Sequence, residues 1–148
     1  MKLKKVLKKS NISIRLKAKD KAGVIRELLD VIVDYGAVKD PEAAYKALLE
    51  RESKMSTGME LGIAIPHART DSVSDLQVAI GVHQKGVDFQ SLDGAPAHIF
   101  IMTLSPTGRA GPHIQFIAAM SGIFSDPKKR QAVLEATSAK EALAILID

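Results

Sequence analysis

The stretch Gly62-Ile63-Ala64-Ile65-Pro66-His67 alternates two branched apolar residues with small ones and then meets a proline. Such alternation suits an extended segment in a packed sheet. Pro66 has no N–H to give to a ladder and steers Ile65 away from the α region, so the strand is predicted to end there. His67 follows at the junction with the polar segment Ala68-Arg69-Thr70-Asp71-Ser72. A strand end over a rigid scaffold is a common place to present a reactive imidazole. The ordinary alternative is a partly exposed loop histidine with no chemistry.

Upstream of this strand the pattern is helical. Asp20 is a predicted N-cap for a helix that carries Val24, Ile25, Leu28, Leu29, Ile32 and Val33 on one face and closes at Gly36. Asp40-Pro41 opens a second helix that runs to about Lys54. Ser56-Thr57-Gly58 reads as the turn into the strand. Ahead of both helices, Ile12, Ile14 and Leu16 alternate as a short strand.

Downstream, residues 76–82 and 97–104 read as strands, the second apolar enough for a central position. Val87-Asp88-Phe89 is a candidate edge strand. Gly111-Pro112-His113 starts a helix whose apolar positions include Ile114, Ile117, Ala118 and Ser121. Asp126-Pro127 opens another, and Ser138 with Glu141 has capping-box spacing before the apolar run 143–147. The expected fold is α/β: one domain over residues 1–148, with a mixed β-sheet flanked by helices on both sides.

Composition narrows the chemistry. The chain has 148 residues and no cysteine, which excludes disulfides, thiolate nucleophiles and Cys-based zinc sites. No apolar run reaches the roughly 20 residues of a membrane span, and no signal peptide is evident. A cytoplasmic protein with no direct membrane insertion is therefore expected. The net charge of +4 is uneven: residues 1–26 hold ten Lys or Arg against one acid, Asp20, while the remainder is acidic on balance. The lysines around Leu3, Val6 and Leu7 suit a terminal helix with a solvated basic face; contact with an acidic partner or lipid headgroups is the alternative. They lack aromatic stacking platforms, so no nucleic acid is expected as a partner. No nucleotide-binding loop or serine-hydrolase elbow occurs, and the histidines lack short metal-ligand spacing. No cofactor or metal is expected.

Four histidines remain as nucleophile candidates: His67, His83, His98 and His113. His113 stands in the first turn of its helix, where free N–H groups and the dipole favour anions. Arg51 is able to clamp an anion bidentately, pairing with Glu50 or Glu52 being its ordinary alternative. Ser56 and Thr57 carry hydroxyls suited to a phosphoryl oxygen and equally suited to a turn. His83 and His98, at strand ends, read as structural or surface residues. Two histidines and an arginine around one anion suit phosphoryl transfer.

With Arg51-Glu52, Ser56-Thr57-Gly58, the stretch 62–67, Asp93-Gly94-Ala95-Pro96, Ser105-Pro106 and His113 in this order, the chain resembles the EIIA domain of the fructose/mannitol class of the bacterial phosphoenolpyruvate-dependent phosphotransferase system. That class includes nitrogen-type regulatory members. The resemblance spans nearly the whole chain. It implies a phosphotransferase component in which His67 takes a phosphoryl group through Nε2 from HPr or an HPr-like phosphocarrier. His67 would then pass it to a cysteine of an EIIB protein. Arg51 and His113 would stabilise the phosphoryl group, and Thr57 is a further phosphate-binding candidate. The alternative within the class is a regulator whose phosphorylation state controls a transporter, kinase or other partner. With no cysteine of its own, the sequence reads as a free-standing EIIA-like protein whose onward transfer is intermolecular. Arg109-Ala110-Gly111-Pro112 and Met59-Glu60-Leu61 depart from the pattern of sugar-specific members, so the resemblance names no sugar.

Overall fold

The computed structural model describes residues 1–148. Its central pair is β4 (Gln77–Val87) and β5 (Ala97–Ser105), which run antiparallel with Ile80 opposite Ile101. The short strand β1 (Ile12–Ser13) joins β4 in parallel. On the other side, β2 (Ile63–Ala64) and β3 (His67–Arg69) both join β5 in parallel. The sheet order is thus β1-β4-β5-β2, with β3 continuing the β2 edge beyond Pro66. The expected mixed sheet is present.

Period-two alternation along β4 and β5 sends side chains to two cores. Phe100, Met102 and Leu104 face α2 (Lys21–Asp34) and α3 (Pro41–Lys54), where Val24, Ile25, Leu28, Leu29, Ile32, Ala44 and Leu48 are buried. Val78, Ile80, Val82, Ile99 and Ile101 face α4 (Gly111–Phe124), α5 (Pro127–Glu135) and α6 (Ala139–Ile147). Helices therefore cover both sides. Close approach is built in at Gly81, where a Cβ would lie 2.6 Å from Leu16 Cδ1 and 2.7 Å from Leu28 Cδ2.

The capping logic holds at every predicted helix start that carries an Asp or Ser. Asp20 accepts from Gly23 N–H, Asp40 from Ala43, Asp126 from Lys128 and Ser138 from Glu141. Gly36, at φ 81°, follows the end of α2 as expected. Glu141 departs from the simple box: its carboxylate accepts from Thr137 N–H and Oγ rather than from the cap residue. At the N-terminus, α1 (Leu3–Val6) is a single turn whose lysines are exposed while Leu7 is buried.

β2 ends at Ala64, just before Ile65-Pro66 as expected, and β3 resumes the pairing at His67, while three other local readings are refined. The segment lies on the sheet edge, where a missing N–H is tolerated, and the Pro66 carbonyl still accepts from Thr103 N–H at 3.2 Å. Val87-Asp88-Phe89 is no separate strand; Val87 pairs with Ala97 as the end of β4, beyond a bulge at residues 83–86. Regular β1 covers only Ile12–Ser13, although Leu16 N–H still reaches the Val82 carbonyl at 2.9 Å. The inner face of α4 is Phe116, Met120 and Phe124, whereas Ile114 is 63% exposed. That helix is apolar nearly all round, so its largest side chains at i, i+4 spacing take the core. No helix is long and apolar enough to cross a membrane.

Leu28 is fully buried between α2 and the sheet. Leu28→Ala is expected to lower unfolding free energy by about 2–5 kcal/mol, read as a shifted urea midpoint with unchanged slope.

Candidate functional site

The β3–β5 register places His67 beside Thr103, with Arg69 beside Ser105. Residues i and i+2 of a strand share a face, so Arg69 follows His67 into the same cleft. That cleft, of about 430 Å³, is lined by Ala47, Glu50, Arg51 and Lys54 of α3, by His67, Ala68 and Arg69 of β3, by Ser105, and by Ala110 and His113 at the start of α4. Three elements distant in sequence thus converge where an edge strand meets one helix end and one helix start.

His67 and His113 lie with ring centroids 5.2 Å apart and planes tilted by 31°. The His67 Nδ1 is 2.8 Å from the Ile65 carbonyl oxygen. A carbonyl only accepts, so Nδ1 carries the proton and Nε2 keeps the free lone pair. The His113 Nδ1 is 2.7 Å from Thr103 Oγ1. Thr103 is fully buried and its hydroxyl has no other protein partner, so donation to Nδ1 satisfies it and leaves the His113 proton on Nε2. The two rings therefore hold opposite tautomers: one offers a lone pair, the other a hydrogen.

The cleft is electropositive. Arg51 gives one N–H to the Met55 carbonyl at 2.8 Å and pairs with neither Glu50 nor Glu52. Its remaining guanidinium donors have no protein partner, and neither Arg69 nor Lys54 is in an ion pair. Three cations thus face one carboxylate, Glu50. The first turn of α4 adds its N-terminal field: Ala110 provides no side-chain cap, and Pro112 occupies the second helical position. Partial burial, then the nearby His67 and Arg69 charges, push the His113 pKa below 6.5.

Thr57 stands elsewhere. It is buried, and both its hydroxyl and its N–H are given to the Glu52 carboxylate at 2.6 and 2.8 Å. It does not line the cleft. Ser56 similarly donates to the Phe89 carbonyl, and at Gly58 a Cβ would lie 2.6 Å from Ser91 Oγ. His83 bonds the Ala18 carbonyl and receives Gly86 N–H, while His98 bonds the His83 carbonyl, so both are structural. The sequence reading missed Arg69 and Thr103. Strand periodicity carried through Pro66 finds the first; only the β3–β5 register finds the second.

A model of the family described as "Phosphoenolpyruvate-dependent sugar phosphotransferase system, EIIA 2" matches residues 5–148. The fructose-specific EIIA component of Haloferax volcanii is 39% identical over 137 residues, covering 93% of this chain and 89% of that protein. The fructose-specific EIIABC component of Bacillus subtilis is 37% identical over 99% of this chain, which spans only 23% of that longer protein. Among solved structures, nitrogen regulatory protein IIA-Ntr from Neisseria meningitidis superposes with TM-score 0.86 at 27% identity, covering 96% of this chain and 97% of that one. The IIA chain in the complex of mannitol IIA with phosphorylated IIB from Escherichia coli gives TM-score 0.81 at 28% identity, covering 95% and 96%.

Ring NMR is expected to show His113 titrating below 6.5. The unfolded chain then takes up this proton first as pH falls from 6.5. His113 contributes no pH dependence above that value and subtracts stability progressively below it. Urea unfolding of wild type against His113→Gln across pH 5–8 reads the difference.

Proposed function

The chain belongs to the EIIA 2 family of the phosphoenolpyruvate-dependent sugar phosphotransferase system, and from that premise we propose that His67 is its phosphoryl acceptor. The observation that carries this reading is the Nδ1 contact to the Ile65 carbonyl, which leaves Nε2 as the nucleophile in an electropositive cleft. The Nε2 lone pair attacks the phosphorus of a phosphorylated HPr or HPr-like carrier. A new N–P bond forms while the donor's N–P bond breaks, and the donor imidazole leaves with that electron pair. In the second step a cysteine thiolate of an EIIB protein attacks the same phosphorus and His67 leaves. Nδ1 keeps its proton throughout, so no proton moves during either step.

Charge on the three equatorial oxygens is what the surroundings must hold. Arg51 presents its free guanidinium fork, His113 presents Nε2–H, and Arg69 adds a second cation. A neutral His113 gives a hydrogen bond without the extra positive charge that would hold the phosphoryl group too firmly for a relay. Thr57 holds the scaffold and is not assigned to the phosphate in this reading.

A second reading, a nitrogen-type regulator whose phosphorylation state sets its partner binding, is favoured by the likeness to IIA-Ntr at TM-score 0.86. An added dianion in the cleft changes the surface a partner meets. A panel of EIIB acceptors separates the two: rapid discharge to one of them supports a transport relay. Phosphorylation without discharge, together with partner binding that depends on it, supports regulation.

Incubation with phosphoenolpyruvate, enzyme I and HPr is expected to give an acid-labile, base-stable phosphate that His67→Ala abolishes. Wild-type labelling of that variant overturns the assignment. His113→Ala is expected to slow transfer by about 10²–10³-fold while still permitting it.

A further inference from the structure

The arginine-glutamate pair at the end of α3 divides its labour. Arg51 turns into the cleft, whereas Glu52 turns inward and is only 8% exposed. Both oxygens of this buried carboxylate are used. Oε1 accepts the Thr57 hydroxyl at 2.6 Å, and Oε2 accepts Thr57 N–H at 2.8 Å and the Lys21 ammonium at 2.9 Å. Lys21 is itself held by the Gln90 side-chain oxygen at 3.0 Å and lies 5.0 Å over the Phe89 ring. A buried carboxylate is costly unless partnered, and this one is fully partnered by groups from α2 and the turn before β2.

The hydrogen bonds continue from Thr57 to the site. The Thr57 carbonyl accepts Ile65 N–H at 3.0 Å, and the Ile65 carbonyl accepts His67 Nδ1–H at 2.8 Å. Glu52 is thus linked to the His67 imidazole through the backbones of Thr57 and Ile65. The Ile65–Pro66 peptide has no N–H, so the Ile65 N–H bond to Thr57 is the hydrogen bond that holds this residue on the side away from His67.

We propose that Glu52 and Thr57 are positioning residues, which set the tautomer and orientation of His67 by holding the Ile65 backbone from behind the site. They touch neither the cleft nor the reacting atoms. Their effect on transfer rests on the phosphocarrier reading above, but their effect on the ring does not.

The test compares Thr57→Val, Thr57→Ser and Glu52→Gln with wild type in the unphosphorylated full chain. The first readout is the histidine ring nitrogen shifts above pH 8, which distinguish a protonated from a bare nitrogen. Wild type is expected to show His67 as the Nδ1–H tautomer. Thr57→Val and Glu52→Gln are expected to give a mixture with Nε2–H at His67, with the His113 signals unchanged, and Thr57→Ser to restore wild type. The second readout is transfer from phosphorylated HPr. The two disruptive variants are expected to lose about 10–100-fold in kcat with KM for the donor unchanged, as displacement of a nucleophile requires, and Thr57→Ser to recover it. An unaltered His67 tautomer in folded Thr57→Val overturns the proposal, even if its rate falls. So does a wild-type His67 protonated at Nε2. Should Glu52→Gln fail to fold, the near-isosteric Thr57→Val and its serine rescue still decide. If wild type accepts no phosphate, the phosphocarrier reading fails, while the ring spectra still answer the positioning question.

Discussion

Everything at the site depends on one register: β3 pairs with β5 so that His67 stands beside Thr103. A shift by one residue would turn His67 and Arg69 to the opposite face. The register is held by bonds on both sides of Pro66. Before it, His98 and Ile99 N–H reach the Gly62 carbonyl at 2.8 and 3.0 Å. Beyond it, Thr70 N–H reaches the Ser105 carbonyl at 2.8 Å. A proline in the middle of this segment thus interrupts the edge strand without loosening it. Thr103 then hands the same register on to His113, whose ring it holds by Nδ1.

The site uses neutral hydrogen bonds to set direction and unpaired charges to supply field. Both imidazoles are oriented through Nδ1, one by a peptide carbonyl and one by a buried hydroxyl. Neither contact consumes a charge. Arg51, Arg69 and Lys54 remain without ion-pair partners in the protein. An anion entering the cleft therefore meets cations that need not first be separated from a carboxylate, which would cost the free energy of breaking an existing pair. This arrangement matches what membership of the EIIA 2 family asks of the chain: bind a phosphoryl group firmly enough to accept it and loosely enough to release it.

Much of this was legible in the residues. Helix starts were marked by Asp20, Asp40, Asp126 and Ser138, because a short side-chain oxygen satisfies amide donors that nothing else in the first turn reaches. The apolar face of α2 was readable because its polar and apolar residues segregate cleanly. The face of α4 was not, because nearly every side of that helix is apolar and only packing volume chooses among them. Thr57 shows the same limit at the site. A threonine in a turn beside a candidate phosphate site offers the right atom, yet the Glu52 carboxylate already holds it.

Local grammar along the chain set the caps, the turns and the apolar run of β5, and displayed the two histidines and one arginine proposed to serve phosphoryl transfer. These follow from interactions between near neighbours, whose spacing is written in the chain. Tertiary structure alone decided which Nδ1 partners orient the rings, that Arg69 joins the cleft, and that Glu52 and Thr57 stand behind it. Those outcomes depend on strand register and helix placement, which are set by burial on both faces of the sheet. No local pattern carries that information, because the contacting residues are brought together only when the two cores close.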